Sequence, residues 1–293
     1  MTRPLTLAID LGGTKLLAAL VDGANVVERI EAPTDRDAGP KAWLAQIADL
    51  SSRWVGRFDH AGMTVTGLVQ GGFWSSLNPE TLAIPGRFAW LEAVEGVLRV
   101  PVTLLNDAQA AAWGEFSHGA GRGKDIAFLT ISTGVGGGIV FNGRLVQGRD
   151  GVAGHFGQSL AMPDGPAERF EDGAAGRWMA AQGQALGVGP DAQAVFAAAA
   201  AGHAGAEQIL QVSARRVARL CHNLQLMFAP EATVIGGGVG LAPGYLDRLI
   251  GNVEDIQPSV RPNFVRAELG KNAGVIGVAD LSRKNPSNRE EIK

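Results

Sequence analysis

Cysteine is almost missing from the 293 residues: Cys221 stands alone, so one chain can form neither a disulfide framework nor a cysteine-built zinc site. Charge is also sparse, at 19% of residues, and neither sign prevails, with 26 basic against 29 acidic residues and a net charge of −3. That balance offers no electrostatic footprint for nucleic acid and no polybasic surface for a membrane. Aromatics reach only 6%, with a single tyrosine. No apolar run approaches the ~18 residues of a spanning helix. Asp10 interrupts the N-terminal apolar stretch too early for a signal-peptide core. A soluble, cytoplasmic protein is expected.

Glycine, by contrast, is in excess: 41 residues, about twice the usual share of roughly 7%. Hydrophobic residues make up 46%, too many for a disordered chain, and no G-x-y period runs through the sequence. The glycines must therefore serve turns and backbone-contact loops of a globular protein. The length suggests about two domains at roughly 150 residues each.

Leu5–Asp10 and Leu16–Val21 read as strands flanking the turn Leu11-Gly12-Gly13-Thr14-Lys15. Asp22-Gly23 reads as a two-residue hairpin turn before Asn25–Glu31, since Asp-Gly tolerates the positive φ such turns need. Trp43, Leu44, Ile47, Leu50, Trp54, Val55 and Phe58 recur at helical spacing behind Pro40. Met63–Leu68 and Pro101–Leu105 are further strands, and Ala108–Phe116 is a helix opened by Asn106 and Asp107.

The second half begins alike: strand Ile126–Ser132, glycine turn Thr133–Gly138, strand Ile139–Phe141, hairpin Asn142-Gly143, return Leu145-Val146. At a fixed offset of 120 residues, Asp22-Gly23 falls on Asn142-Gly143 and Gly12-Gly13-Thr14 on Ser132-Thr133-Gly134. Leu210, Val217, Leu220, Leu224 and Phe228 mark a buried helix ended by Pro230. Ala232–Ile235 is a strand running into Gly236-Gly237-Gly238, Pro262–Leu269 another, and Ala273–Leu281 a closing helix. The expectation is an α/β protein of two similar halves facing each other across a cleft, with both turns aimed into it.

Asp10-x-Gly12-Gly13-Thr14 directly follows a strand. Its glycine N–H groups and the Thr14 hydroxyl could cradle phosphate, with Asp10 approaching a nucleotide's magnesium through water; the same string would also make a plain hairpin. The spacing is not that of a Walker A loop. Thr130-x-Ser132-Thr133-Gly134-Val135-Gly136-Gly137-Gly138 combines hydroxyls with bare backbone and suits phosphate better than a mere turn. Gly236-Gly237-Gly238-x-Gly240 fits either a base or ribose contact or a strand-end turn. Asn106-Asp107 fits a helix N-cap and also the position of a general base. His155 lies in the glycine-rich loop Gly151–Gln158, with no cysteine near it and with His118 and His203 distant in sequence.

Taken in order, the strings AIDLGGTK (Ala8–Lys15), LNDAQAAAWGE (Leu105–Glu115), TISTGVGGGIV (Thr130–Val140), GVAGHFGQ (Gly151–Gln158) and VIGGGVGLA (Val234–Ala242) resemble the ROK family of sugar kinases, over nearly the whole chain. The resemblance implies the duplicated actin-like, ribonuclease-H-like fold. It implies an N-terminal lobe of residues 1–107, to which a C-terminal helix at about 273–293 returns, and a second lobe of residues 108–272. It also implies transfer of a phosphoryl group from Mg-ATP to a small-molecule sugar, by a homodimer.

Residue by residue, the resemblance makes Asp107 the catalytic base and Asn106 its neighbour on a sugar hydroxyl. Gly67 and Asn78 join the sugar-binding set. Asp10, Gly12, Gly13, Thr14 and Lys15, with Thr133, Gly134 and Gly136, form the phosphate turns, and Gly237 and Gly238 lie near the adenosine. Family sugar kinases commonly read A-G-E-x-G-H where this chain reads Ala153-Gly154-His155-Phe156-Gly157-Gln158. His155 in place of that Glu is similar to the family's amino-sugar kinases. Gln158 replaces a zinc-ligating His, and the family's C-x-C-x-x-x-x-C segment is missing. Pro163–Glu171 bridges it, with Glu171 aligned to a sugar-contacting Glu. A zinc-less variant is expected, its loop held by packing of Phe170 and Trp178. The family's repressors carry a helix-turn-helix ahead of the kinase-like part, and none is expected ahead of a strand at Leu5. The rival readings are a glucokinase or other hexose kinase, disfavoured by His155, and a non-catalytic sugar sensor, disfavoured by Asp10, Asp107 and both turns.

Overall fold

The computed structural model describes residues 5–77, 81, 82, 84, 86–160 and 169–284. The strands are β1 (Leu5–Leu11), β2 (Lys15–Asp22), β3 (Asn25–Pro33), β4 (Phe58–Val65), β5 (Leu68–Gln70), β6 (Phe73–Ser75), β7 (Val102–Asn106), β8 (Ile126–Ile131), β9 (Val135–Phe141), β10 (Arg144–Val146), β11 (Ala232–Gly236) and β12 (Phe264–Arg266). The helices are α1 (Pro40–Ser52), α2 (Trp90–Leu98), α3 (Asp107–His118), α4 (Gly176–Ala185), α5 (Ala192–Ala200), α6 (Ala204–Phe228), α7 (Gly237–Gly240), α8 (Tyr245–Gly251) and α9 (Ala273–Lys284). They form two compact units. The first holds Met1–His118, Gln147–Val152 and Lys271–Lys293; the second holds Gly119–Val146 and Ala153–Gly270.

In the first unit the sheet runs β3-β2-β1-β4-β7, antiparallel from β3 to β1 and parallel from β1 to β7. Strands β1 and β2 are apolar at nearly every position because both their faces are covered. Edge strand β3 alternates and carries Glu28, Arg29 and Glu31, charges that discourage pairing with another chain. The β2–β3 turn is Gly23-Ala24, one residue later than expected, with Gly23 supplying the positive φ of 59°. Helix α1 ends at Ser52, so Phe58 belongs to β4 and not to the helix. Trp43, Trp74 and Trp90 meet at centroid distances of 5.2–6.4 Å in the core beside them.

The second unit repeats the plan. Its sheet runs β10-β9-β8-β11-β12 with the same pattern of antiparallel and parallel pairs. The shared order matches the offset seen in sequence, with Lys15 and Val135 opening the corresponding strands β2 and β9. The glycine turn is shorter than expected: Gly136, Gly137 and Gly138 lie inside β9, paired with Thr130, Leu129 and Phe128. A Cβ on Gly137 would stand 2.4 Å from both the Phe128 carbonyl and the Phe156 ring, so bare backbone lets the Phe156 side chain lie against the strand. Strand β12 spans only Phe264–Arg266, within the longer run expected. Helix α6 buries Ile209, Leu210, Val217 and Leu224, and Ala229 in the left-handed region ends it just before Pro230. Among the described residues no helix is long and apolar enough to cross a membrane.

Helix α3 belongs to the first unit although the sequence divided the lobes after Asp107. It packs along α9, where a Cβ on Gly114 would stand 2.3 Å from the Ala273 carbonyl and one on Gly277 1.9 Å from the Ala110 carbonyl. Two backbones at that separation tolerate no side chain. Gly277→Val is expected to lower stability by about 3 kcal/mol or more, since overpacking against rigid backbone has no flexible neighbour to yield. Urea unfolding monitored by circular dichroism measures it.

Candidate active site

Asp10 and Asp107 come together in the first unit. Asp10 stands near the end of β1, opposite Thr64 in the parallel register with β4, and the fully buried Thr64 hydroxyl donates to Asp10 Oδ1 at 2.8 Å. Burial raises the Asp10 carboxyl above its ordinary value, against the Thr64 hydrogen bond and the charge of Lys15. Asp107 is the first residue of α3, directly after β7, so the strand-to-helix junction presents its carboxylate at the carboxyl end of a parallel strand.

Loss of hydration, then the negative charge of Asp10, push the Asp107 carboxyl up to about 7, while hydrogen bonding from the Ala108 amide opposes the rise. Solvent reaches the Asp107 side chain directly. The dense protein around it still limits how well its charge is solvated, and the charge of Asp10 acts in the same direction. A carboxylate that titrates near neutrality is suited to take a proton at physiological pH.

Asn106 holds that junction in place. Its Oδ1 accepts from the Ala108 and Gln109 amides at 3.0 and 3.2 Å, and its Nδ2 donates to the Gly67 carbonyl at 2.9 Å. Both readings of Asn106-Asp107 thus meet in one place: Asn106 caps the helix while Asp107 offers a carboxylate. Gly67 has φ 97°, and a Cβ there would stand 2.6 Å from the Ser75 carbonyl. In the first glycine turn the Gly12 amide donates to the Lys15 carbonyl at 3.0 Å, closing the hairpin itself. A Cβ on Gly13 would stand 2.7 Å from the Thr81 carbonyl. Thr14 and Lys15 are exposed, and the Lys15 ammonium lies 3.3 Å from Glu31. Asn78 lies outside the described residues, as do Pro163–Glu168 of the bridging loop.

In the second unit Thr133 and Gly134 sit in the Ser132–Gly134 turn, whose Ser132 amide donates to the Gly134 carbonyl at 2.9 Å. The amides of Gly176 and Arg177, at the start of α4, donate back to Ser132 and Thr133. Gly136 is a strand residue. Gly237 has φ 85°, and a Cβ there would stand 2.3 Å from the Ile131 carbonyl, whereas a Cβ on Gly238 would meet nothing within 4 Å.

Glu171 is a hub: it accepts from the Val135 amide at 3.2 Å and the Gln158 carboxamide at 3.1 Å, and lies 3.4 Å from Arg169. Half-buried His155 precedes the 3₁₀ turn Phe156–Gln158. Phe156 and Phe170 are buried, and Trp178 carries the Arg216 guanidinium 5.1 Å above its ring. Among the described residues no three His, Cys, Asp or Glu side chains gather as a metal site. Sequence reasoning passed over Thr64 and Gln109. The only signal for Thr64 was a lone hydroxyl in the apolar run of β4, and for Gln109 an amide on a buried helix face.

The repeated five-stranded sheet, antiparallel on one side and parallel on the other, defines the duplicated actin-like α/β class. Residues 6–285 match the ROK family, and the chain belongs to it. It is 48% identical over 276 residues to the bifunctional enzyme NanE/NanK of Brucella melitensis, covering 94% of this chain and 53% of that protein. The chain therefore spans about half the length of that relative. It is 36% identical over 286 residues to an N-acetylmannosamine kinase of Escherichia coli, covering 95% of this chain and 98% of that one. Among solved structures, the ROK hexokinase from Thermus thermophilus superposes with a TM-score of 0.83 at 31% identity, covering 96% of this chain and 99% of that one. A ROK family glucokinase from Streptomyces griseus, in complex with glucose and AMPPNP, gives 0.82 at 29% identity, covering 96% and 100%.

A carboxyl with a folded pKa above its unfolded value of about 4 costs stability once the unfolded chain ionises. The cost is absent below about pH 4, grows up to about pH 7 and is constant above. Asp107→Asn removes it and can still accept the Ala108 hydrogen bond. The variant is expected to melt above wild type at about pH 8 and level with it near about pH 4, by differential scanning fluorimetry across pH.

Proposed function

We propose that the chain is a sugar kinase that transfers the γ-phosphoryl group of Mg-ATP to the 6-hydroxyl of N-acetyl-D-mannosamine, giving N-acetyl-D-mannosamine 6-phosphate in sialic acid breakdown. The observation that carries the reading is Asp107: a solvent-reachable carboxylate at a strand end, poised near neutral pH by its surroundings. Its role is to accept the proton of the sugar 6-hydroxyl as that oxygen attacks the γ-phosphorus and the bond to the β-phosphate oxygen breaks. General-base help of this kind contributes typically about 10²–10⁴-fold. The amino-sugar assignment is supported by the names of the relatives and by His155, which stands where a glucose-type site keeps a carboxylate.

In this reading Gly67, Asn78, Asn106, His155 and Glu171 hold the sugar. Gly12, Gly13, Thr14, Lys15, Thr133, Gly134 and Gly136 serve the phosphates, and Gly237 and Gly238 serve the adenosine. The Asp10 carboxylate, with one oxygen held by Thr64, is a hard oxygen donor of the kind magnesium prefers, through water. When bound, magnesium neutralises phosphate charge. For zinc the donors do not fit: Gln158 donates its carboxamide to Glu171 in place of a histidine ligand. The reading is thus of a zinc-less loop held by Glu171 and by the packing of Phe170 and Trp178. A cytoplasmic homodimer completes it.

The hexose-kinase alternative draws on the hexokinase and glucokinase structures. A coupled ADP-release assay over N-acetylmannosamine, glucose, N-acetylglucosamine, mannose and fructose separates the readings. Highest activity on glucose favours a hexose kinase, and silence on every sugar favours a non-catalytic sensor. Asp107→Asn is expected to keep sugar binding by calorimetry and lose at least ~10²-fold in kcat; wild-type turnover would overturn the assignment. Because Asp107 works deprotonated, kcat/KM is expected to rise with pH and level off above about 7. Metal analysis of the purified protein is expected to show no stoichiometric zinc.

A further inference from the structure

After β10 the chain runs through Gln147–Val152 in the first unit before Ala153 returns it to the second. That short passage is the root of the glycine-rich loop bearing His155, and it is tied down on two sides. On one side, Gln70 at the end of β5 donates from Nε2 to Asp150 Oδ1 at 2.7 Å. Gly151, at φ 75°, presses so close to β5 that a Cβ there would stand 2.1 Å from the Val69 carbonyl. On the other, Gln109 on α3, only 1% exposed, donates from Nε2 to the Gly151 carbonyl at 3.0 Å. A buried carboxamide without partners would carry its full desolvation cost, so this bond is strongly specified.

The same string places two carboxamides around the base. Asn106, one residue before Asp107, ties the junction to Gly67; Gln109, two residues after it, ties it to Gly151. Both anchored carbonyls belong to glycines whose positive φ aims the backbone there. We propose that Gln109 is a positioning residue for sugar recognition: it registers the root of the His155 loop against the helix that presents Asp107. The inference rests on the kinase reading. It assigns Gln109 no contact with substrate; it acts through the backbone of Gly151, four residues ahead of His155.

The test uses the full chain with Gln109→Glu, similar in size but unable to donate when ionised, and Gln109→Asn, one methylene shorter. Expected is a rise of about tenfold in the KM for the best sugar, with the KM for ATP within about twofold and kcat little changed, from the loss of one well-placed hydrogen bond. Hydrogen–deuterium exchange is expected to speed up in the peptide spanning residues 150–158 and stay unchanged in β11. A merely structural role would lower the melting temperature and active fraction and leave both KM values alone; that result overturns the proposal, as does an equal rise in both KM values. Should neither variant fold, Gln70→Ala, which removes the other side-chain tie, is expected to give the same split more weakly, and an unchanged sugar KM there overturns it. If the wild-type protein phosphorylates no sugar, the kinase reading fails, and exchange at 150–158 alone decides whether Gln109 holds the loop.

Discussion

The Asn106 carboxamide is the interaction on which the candidate site depends. It is buried, so its polar atoms need partners, and it finds them in the Ala108 and Gln109 amides of α3 and in the Gly67 carbonyl. Those bonds stop β7, start α3 and bring the β5 region alongside. Asp107, next in the chain, is consequently turned outward at the end of a parallel strand. A strand-to-helix junction capped from within gives Asp107 an ordered backbone and a side chain open to solvent.

The electrostatics follow from that placement. Two carboxylates, Asp10 and Asp107, share one neighbourhood; the charge of Lys15 acts on Asp10, and Lys15 itself leans on Glu31. The Thr64 hydroxyl bonds Asp10 and opposes the rise that burial imposes on it, and the charge of Asp10 helps lift Asp107. Burial thus raises both carboxyls, and the added charge of Asp10 helps bring Asp107 to titrate near neutrality. The arrangement opposes stability, as sites kept for chemistry often do.

Glycine has two kinds of work in this chain. At Gly67, Gly151 and Gly237 a positive φ and a close backbone neighbour both exclude a side chain. At Gly137 and Gly277 the dihedral is ordinary and the need is proximity alone: an aromatic ring against a strand in one case, a helix against a helix in the other. Gly137, in the glycine run of β9, thus serves as a packing surface. Only a neighbour distant in sequence, Phe156, makes that visible.

Local pattern carried much of the architecture. Apolar runs and X-Gly turns marked the strands of both sheets, and the matching spacing of Asp22-Gly23 and Asn142-Gly143 announced the repeat that the two sheet orders display. The Asn106-Asp107 pair was legible because strand and helix signals meet there. Illegible were the partners: Thr64 opposite Asp10, Gln109 on Gly151, and Glu171 drawing in Val135, Gln158 and Arg169. Sequence determines which backbone can turn and which side chains are chemically able, since propensity and turn geometry act between near neighbours. Which carboxyl titrates near neutrality, and which glycine is bare for packing, was decided by tertiary structure alone, because desolvation, charge and contact depend on residues that only folding brings near.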